Sequence, residues 1–327
     1  VGGSGQYALA ATAMSGSLGG VLRPSLLVVA IGAVNNEVTS DELFRWGNWV
    51  FLLTSTLFFL ASRWRAEPRT VARPPLSQAW SEMWPHVSPM VSHVALVMAV
   101  LGMYDLVLNT PLNETSAPLI MPVLMVLVVV FDQLLRSQGI GVDSAHLAQV
   151  LQREKSLNAS VRVATSDTVT YLGAYVFLIM VSQALGGVVE RSGVIHQLPH
   201  DFGSPWLTMI FVSVVLVVLG MFLEPLGAIF LVSSSLAPMA YDNGITPVHF
   251  WMTVLVAFEL GYLTPPVALN QLLARRVAGD AAVEQAQAEA AGRSFYRRHE
   301  RWLLPCGVMS VALLIVAFAP LVFGLER

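Results

Sequence analysis

The stretch "ELGYLTPPVALN", Glu259 to Asn270, interrupts an apolar run that extends from Phe250 to Leu273. A run of that length reaches the roughly 20 residues that carry a helix across a bilayer. Pro265 and Pro266 lack backbone donors and their rings clash with the preceding turn, so an unbroken helix is excluded here. In hydrocarbon, the carbonyls released by the break must find other partners. The segment therefore reads either as a discontinuous helix that presents backbone oxygens or as a kink made for packing alone.

A chain of 327 residues with 55% hydrophobic and 12% charged residues and a mean hydropathy of +0.65 does not describe a soluble globular domain. It reads as an all-α, polytopic helical membrane protein. The net charge of −3 says little, because the placement of charge matters more than its sum in such a protein. Cys306 is the only cysteine and lies in an apolar stretch, which excludes a disulfide framework and a cysteine-based metal site. The sequence opens at Val1 without a methionine or a recognisable signal peptide, and is expected to be a fragment lacking its natural start.

Apolar runs cover Tyr7 to Ala33, Trp46 to Ser62, Val87 to Leu108, Ala117 to Leu135 and Thr168 to Val189. They continue from Pro205 to Leu223, Leu226 to Tyr241, Phe250 to Leu273 and Trp302 to Phe323. The run from Leu226 is short and follows its neighbour through Glu224 and Pro225 alone, which predicts a re-entrant hairpin over 205–241. The connecting loops sort by charge. Arg63, Arg65, Arg69 and Arg73 share one loop, Arg136, Arg153, Lys155 and Arg162 another, and Arg275, Arg276, Arg293, Arg297, Arg298 and Arg301 a third. The remaining loops carry mainly acidic residues, so the basic loops are expected in the cytoplasm. The spans thread through that assignment only if the hairpin forms a V with both open ends outside. The chain then starts on the cytoplasmic side and ends outside.

The cytoplasmic loops hold "VDSAHLAQVLQREKSL", with leucines at helical spacing and a polar opposite face, and "GDAAVEQAQAEAAGRSFYRRHERW" of similar character. Both are expected as interfacial or connecting helices. His196 and His200 fall short of a zinc-protease signature, and the sequence shows no Ser-His-Asp arrangement, phosphate-cradling glycine loop or nucleotide motif. No catalytic residue is expected, which favours a non-enzymatic role.

A second interrupted span, "SGSLGGVLRPSLLVVA", resembles "FELGYLTPPVALNQLL" in placing Leu-Gly shortly before a proline-containing break. The two start from opposite sides of the membrane in the threading above. This is the pattern of an inverted repeat with two discontinuous helices, whose exposed ends bind ligand and cation near the midplane. Kinks for packing produce the same residues.

The segment "LGMFLEPLGAIFLVSSSLAPMAYDNGITPVHFWMTVLVAFELGYLTPPVALN" resembles the large membrane (permease) subunit of tripartite ATP-independent periplasmic (TRAP) transporters. There a Gly-Met-Phe-Leu hairpin precedes a Gly-Ile-x-Pro-Val-His-Phe turn and a Gly-x-Leu-Thr-Pro-Pro helix. "ATAMSGSLGGVLRPSLLVVAIG" looks like the broken helix of the family's first repeat, and "GMYDLVLNTPLNETSA" is similar to an element between the halves. The resemblance covers nearly the whole chain in order, but the first hairpin of the family lies upstream of Val1. It divides the chain into 1–62, the remainder of the first repeat; 63–166, connecting helices and the amphipathic segment; 167–273, the second repeat with hairpin 205–241 and broken helix 250–273; and 274–327, a cytoplasmic connection and final helix.

This resemblance implies sodium-coupled import of a small organic anion across the bacterial inner membrane. It also implies two partners, a small four-helix membrane subunit and a periplasmic solute-binding protein. For sodium, the family pattern maps to Gly220, Gly261, Thr264 and Val267 in the second repeat, and to Gly19, Leu22 and Pro24 in the first. Oxygen ligands suit so hard a cation, and glycine lets it approach the backbone.

Candidate substrate contacts are Arg23, Ser25, Glu224, Ser233 and Asn270. Arg23 replaces a proline usual in the family, and an intramembrane arginine is costly. It fits a carboxylate clamp, an ion pair with Glu224 or Glu259, or a snorkelling side chain in a degenerate relative. Ser233 to Ser235 fit either a cleft lining or back-bonding to helix carbonyls, and Asn270 either a substrate contact or a helix-to-helix hydrogen bond. A permease that needs no binding protein, and a non-transporting membrane protein, remain the alternatives.

Overall fold

The computed structural model of the chain describes residues 4–22, 25–65, 76–109, 116–137 and 202–324, with scattered helical positions between 158 and 193. Every regular element among them is a helix. In order these are α1 (Gly5–Gly19), α2 (Leu26–Val34), α3 (Ser40–Arg65), α4 (Leu76–Leu108), α5 (Ala117–Ser137) and α6 (Pro205–Phe222). They continue with α7 (Pro225–Asp242), α8 (Pro247–Leu263), α9 (Leu269–Ala278), α10 (Asp280–Ala290), α11 (Phe295–Arg298) and α12 (Glu300–Phe323). Among the described residues, α3, α6 and α12 are each long and apolar enough to cross a membrane unaided. The amphipathic stretch after Gly141 lies outside the described residues, whereas its later counterpart forms α10 and α11.

Both interrupted runs are broken where proline stands. The first divides into α1 and α2, the second into α8 and α9, and neither half of either pair reaches the length of a spanning helix. The short run from Leu226 becomes α7, joined to α6 by Leu223 and Glu224 alone. Proline occupies the first helical position of α6, α7 and α8, where its missing donor is harmless and its fixed φ suits the helix. The open ends of the α6–α7 pair meet, because the Phe202 amide donates to Asn243 Oδ1 at 3.0 Å. The two arms therefore form a V.

The chain divides into two compact units, Val1–Glu67 with Tyr175–Arg327, and Pro68–Ala174. In the second unit α4 packs on α5, with His93 edge-on to Phe131 at 5.4 Å between ring centroids. In the first unit α8 is the centre. Every residue from His249 to Leu263 is buried, so this helix has no solvent or lipid face. It lies against α1, α2, α3, α6, α7, α9 and α12. Its polar groups are accommodated locally: Trp251 Nε1 donates to the Tyr241 hydroxyl at 2.8 Å, and His249 Nε2 lies 3.0 Å from the Ala317 carbonyl.

One end of the same unit is closed by a charged knot. Glu300, at the start of α12, is fully buried and receives both Nε and Nη2 of Arg65 from the end of α3. Arg65 Nη2 also donates to Ser4 Oγ at 2.9 Å, and its guanidinium lies 4.4 Å from the Tyr7 ring centroid. Arg297 Nη2 donates to the Arg65 carbonyl at 2.8 Å. Three helices distant in sequence are thus pinned at one level.

Removing Arg65 leaves the buried Glu300 carboxylate with Arg297, at 3.7 Å, as its cationic partner, a loss of up to roughly 3–5 kcal/mol, whereas replacing both members of such a pair by apolar groups is far milder. Arg65→Met is therefore expected to lower the unfolding temperature of the purified protein in detergent more than the double variant Arg65→Met/Glu300→Met does. Equal losses would show that the pair adds nothing beyond packing.

Candidate functional site

A carbonyl in a helix is normally met by the amide four residues later, so proline at that position frees it. Pro24 stands four residues after Gly20, and Pro265 and Pro266 four after Gly261 and Tyr262. In the first break the Gly20 carbonyl accepts from Ser25 Oγ at 2.5 Å, and Ser25 Oγ in turn caps α2 by accepting from the Val28 amide at 3.4 Å. In the second break the Gly261 carbonyl accepts from the Thr264 amide at 3.0 Å. Thr264 Oγ1 donates to the Leu260 carbonyl at 2.7 Å and lies 3.7 Å from Cys306 Sγ. Ala268 adopts the left-handed region with φ of 49°, and α9 resumes from Leu269. Carbonyls at each break are thus met by hydroxyl and amide donors.

The tip of the V abuts the second break. A Cβ on Gly261 would sit 2.5 Å from the Gly220 carbonyl carbon and 2.8 Å from its Cα, while one on Gly220 would sit 3.0 Å from Phe258 Cα. Two glycines let the backbones of α6 and α8 cross at a distance that no other residue permits. This contact brings together Gly220 and Gly261, with Thr264 one turn further on. Val267 is exposed beyond the prolines.

The two breaks are also joined to each other. Asn270, in the first turn of α9, donates from Nδ2 to Ser17 Oγ of α1 at 2.7 Å and to Glu259 Oε2 of α8 at 3.3 Å. Ser17 is buried and also hydrogen-bonds to Glu259. The Glu259 carboxylate is only 4% exposed, and its Cδ would lie 2.9 Å from a Cβ on Gly20, so Gly20 makes room for it. A carboxylate enclosed by an amide, a hydroxyl and the ends of two helices is the polar centre of this unit.

The other expected contacts have defined places. The Gly19 carbonyl accepts from the Leu22 amide at 3.3 Å, and Gly19 itself is exposed with open space beside it. Arg23 and Pro24 lie outside the described residues. Glu224 caps α7, accepting from the Leu226 and Gly227 amides at 2.9 and 3.2 Å. Ser233 Oγ donates to Asn35 Oδ1 at 2.8 Å, which ties α7 to the end of α2, while Ser234 and Ser235 bond back to the Leu231 carbonyl. Ser25, Glu224 and Ser233 thus serve helix ends and helix contacts.

From the sequence Glu259 is expected only as a partner for Arg23, and no local pattern singles out Ser17 or Gly20. The available signal was a lone acid within an apolar helix, with a polar amide on the other side of the prolines. Among the described residues no group of three or more His, Cys, Asp or Glu could hold a metal. A cation at these breaks would meet carbonyl and hydroxyl oxygens, together with the one carboxylate of Glu259.

Residues 2–322 match the sequence model of the family described as "Tripartite ATP-independent periplasmic transporter, DctM component". The C4-dicarboxylate TRAP transporter large permease protein DctM of Vibrio cholerae is 25% identical over 325 residues, 97% of this chain and 67% of that protein. The sialic acid TRAP transporter large permease protein SiaM of the same species is 24% identical over 173 residues, 51% of this chain and 40% of that protein. The isethionate TRAP transporter permease protein DctMQ of Oleidesulfovibrio alaskensis is 36% identical over 77 residues, 24% of this chain and 12% of that protein.

The glycine crossing is open to a direct test. Adding a methyl group to a packed contact costs about 1–3 kcal/mol, and most where the obstacle is backbone. Gly261→Ala, which meets Gly220 backbone at 2.5 Å, is expected to reduce thermal stability more than Gly220→Ala, which meets Phe258 at 3.0 Å. The reverse order in detergent-solubilised protein would contradict the crossing.

Proposed function

The chain belongs to the DctM component family of tripartite ATP-independent periplasmic transporters, and from that premise we propose that it imports a small organic anion coupled to sodium. The family is one of transporters rather than enzymes, and the helices agree with a multi-pass membrane protein. The proposed setting is the bacterial inner membrane. The proposed partners are a small four-helix membrane subunit and a periplasmic binding protein that delivers the solute. The relatives are named for C4-dicarboxylates, sialic acid and isethionate. All three are organic acids, hence the substrate class proposed here.

The observation that carries this reading is the convergence of the hairpin tip and both helix breaks within one buried region. Gly220 meets Gly261, and Asn270 bridges Ser17 and Glu259. Sodium prefers oxygen ligands, and carbonyls at a helix break supply them without a full negative charge. The Thr264 hydroxyl gives its proton to the Leu260 carbonyl, so its lone pairs are the part left for a cation. The carbonyls of Gly220, Gly261 and Val267 complete the proposed second-repeat site, and those of Gly19, Leu22 and Pro24 belong to the first. In this reading Arg23 and Asn270 hold a substrate carboxylate.

Thr264→Val keeps the shape of the side chain and removes the oxygen. In proteoliposomes containing the transporter, its small subunit and the binding protein, this variant is expected to move half-saturation to at least about threefold higher sodium, since one of the few oxygen ligands of the proposed site is lost. Its amount in the membrane should match the parent. Uptake curves that overlay would leave the prolines as a packing kink, and uptake without the binding protein would favour an independent permease.

A further inference from the structure

A polar cavity of about 240 Å³ lies between the start of α1, the end of α10 and the start of α12. Gln6, Gln287, Arg298, His299, Arg301 and Trp302 line it. Arg298 is exposed and Arg301 half-buried. Neither guanidinium is within ion-pair distance of a carboxylate among the described residues. The nearby acids are committed elsewhere: Glu300 to Arg65 and Arg297, and Glu289 to Gln285 and the Gly5 amide. Arg301 is held over the Trp302 ring at 5.1 Å, and its carbonyl accepts from Gln271 at 2.6 Å, which fixes the first turn of α12. The cavity therefore has a positive wall with a rigid base.

Gln6 has a different requirement. Gln6 is 2% exposed, yet its Oε1 has no hydrogen-bond donor. A buried acceptor without a donor is a defect that a bound group can repair. An anion alone would satisfy the arginines and leave Gln6 unmet. A neutral hydroxyl alone would do the opposite.

We propose that this cavity binds a phosphate-type oxyanion carrying a hydroxyl, whose charged oxygens accept from Arg298 and Arg301 while its O–H donates to the Gln6 amide oxygen as that side chain turns into the cavity on binding. Monohydrogen phosphate and the glycerol-phosphate headgroup of phosphatidylglycerol share this chemistry. The cavity volume suits one such group. None of the residues lining the cavity is among those assigned to sodium or to the transported anion, so it is a second anion site, and it does not depend on the transport reading.

The test uses the whole chain, purified in detergent. Inorganic phosphate is titrated by calorimetry against chloride at equal ionic strength, which removes simple screening. In parallel, the protein in nanodiscs of phosphatidylcholine is challenged with phosphatidylglycerol and retained lipid is read by native mass spectrometry. Saturable binding of phosphate identifies the free ion, and retention of phosphatidylglycerol alone identifies the headgroup. Either result supports the site, provided that Arg298→Gln/Arg301→Gln weakens it at least about tenfold, as expected when charge-assisted bonds are lost. Gln6→Leu should weaken binding while leaving unliganded thermal stability unchanged or raised, because it removes the unmet acceptor. A variant that is merely misfolded would lose both, and Arg298→Gln alone, on an exposed side chain, then serves in place of the double substitution. Absence of binding by both probes, or parental affinity in the arginine variants, overturns the proposal.

Discussion

A peptide carbonyl surrounded by apolar groups must find a donor, and both interrupted helices are organised around that demand. Proline removes the helical donor for Gly20, Gly261 and Tyr262. The replacements come from short polar side chains and from local amides: Ser25 Oγ for Gly20, and the Thr264 amide for Gly261. Thr264 Oγ1 then closes the last turn of α8 on Leu260, and Cys306 Sγ reaches Leu263 at 3.5 Å from α12. The breaks are thus stable local structures whose oxygen atoms are only partly used. A carbonyl has two lone pairs and each of these accepts one hydrogen bond, so stability and ligand capacity coexist at the same atoms.

The same demand shapes the centre of the unit. Because α8 is buried on every side, several of its polar side chains are answered by neighbouring helices, while Thr253 bonds back to the His249 carbonyl of its own helix. Glu259 is answered by Asn270 and Ser17, His249 by Ala317, and Trp251 by Tyr241. Each answer comes from a different element, so these contacts fix the rotation of α8 against its surroundings. At the end of the unit the Arg65–Glu300 pair sets the level of α3 against α12. The centre therefore fixes orientation and the charged knot fixes height.

Much of the fold was legible in the sequence because its signals are local. Consecutive prolines, a two-residue connection at Glu224 and the length of apolar runs each follow from a few neighbouring residues, and α1–α2, α6–α7 and α8–α9 are broken or turned where those signals stand. The candidate site was less legible. Glu259 and Asn270 lie on either side of a turn, but Ser17 joins them across more than two hundred positions, and no local pattern encodes such a meeting. α8 carries apolar residues on every face, so periodicity could not indicate which of them faces Glu259's partners. The serines at 233–235 illustrate the converse: two of the three are occupied by their own helix, and a polar cluster in sequence need not line a cleft.

The bond between Phe202 and Asn243 turns the V into a closed triangle. Its two long sides are helices of 18 residues each, about 27 Å at 1.5 Å per residue, and its short side is the tie between their open ends. The triangle holds, through that tie, the open ends of α6 and α7 together opposite their two-residue connection. Its apex rests on Gly261 with no side chain between, and a contact made of backbone has no rotamers with which to absorb movement. The wedge and the bend it touches therefore meet backbone to backbone, with no side chain to cushion the contact at Gly261.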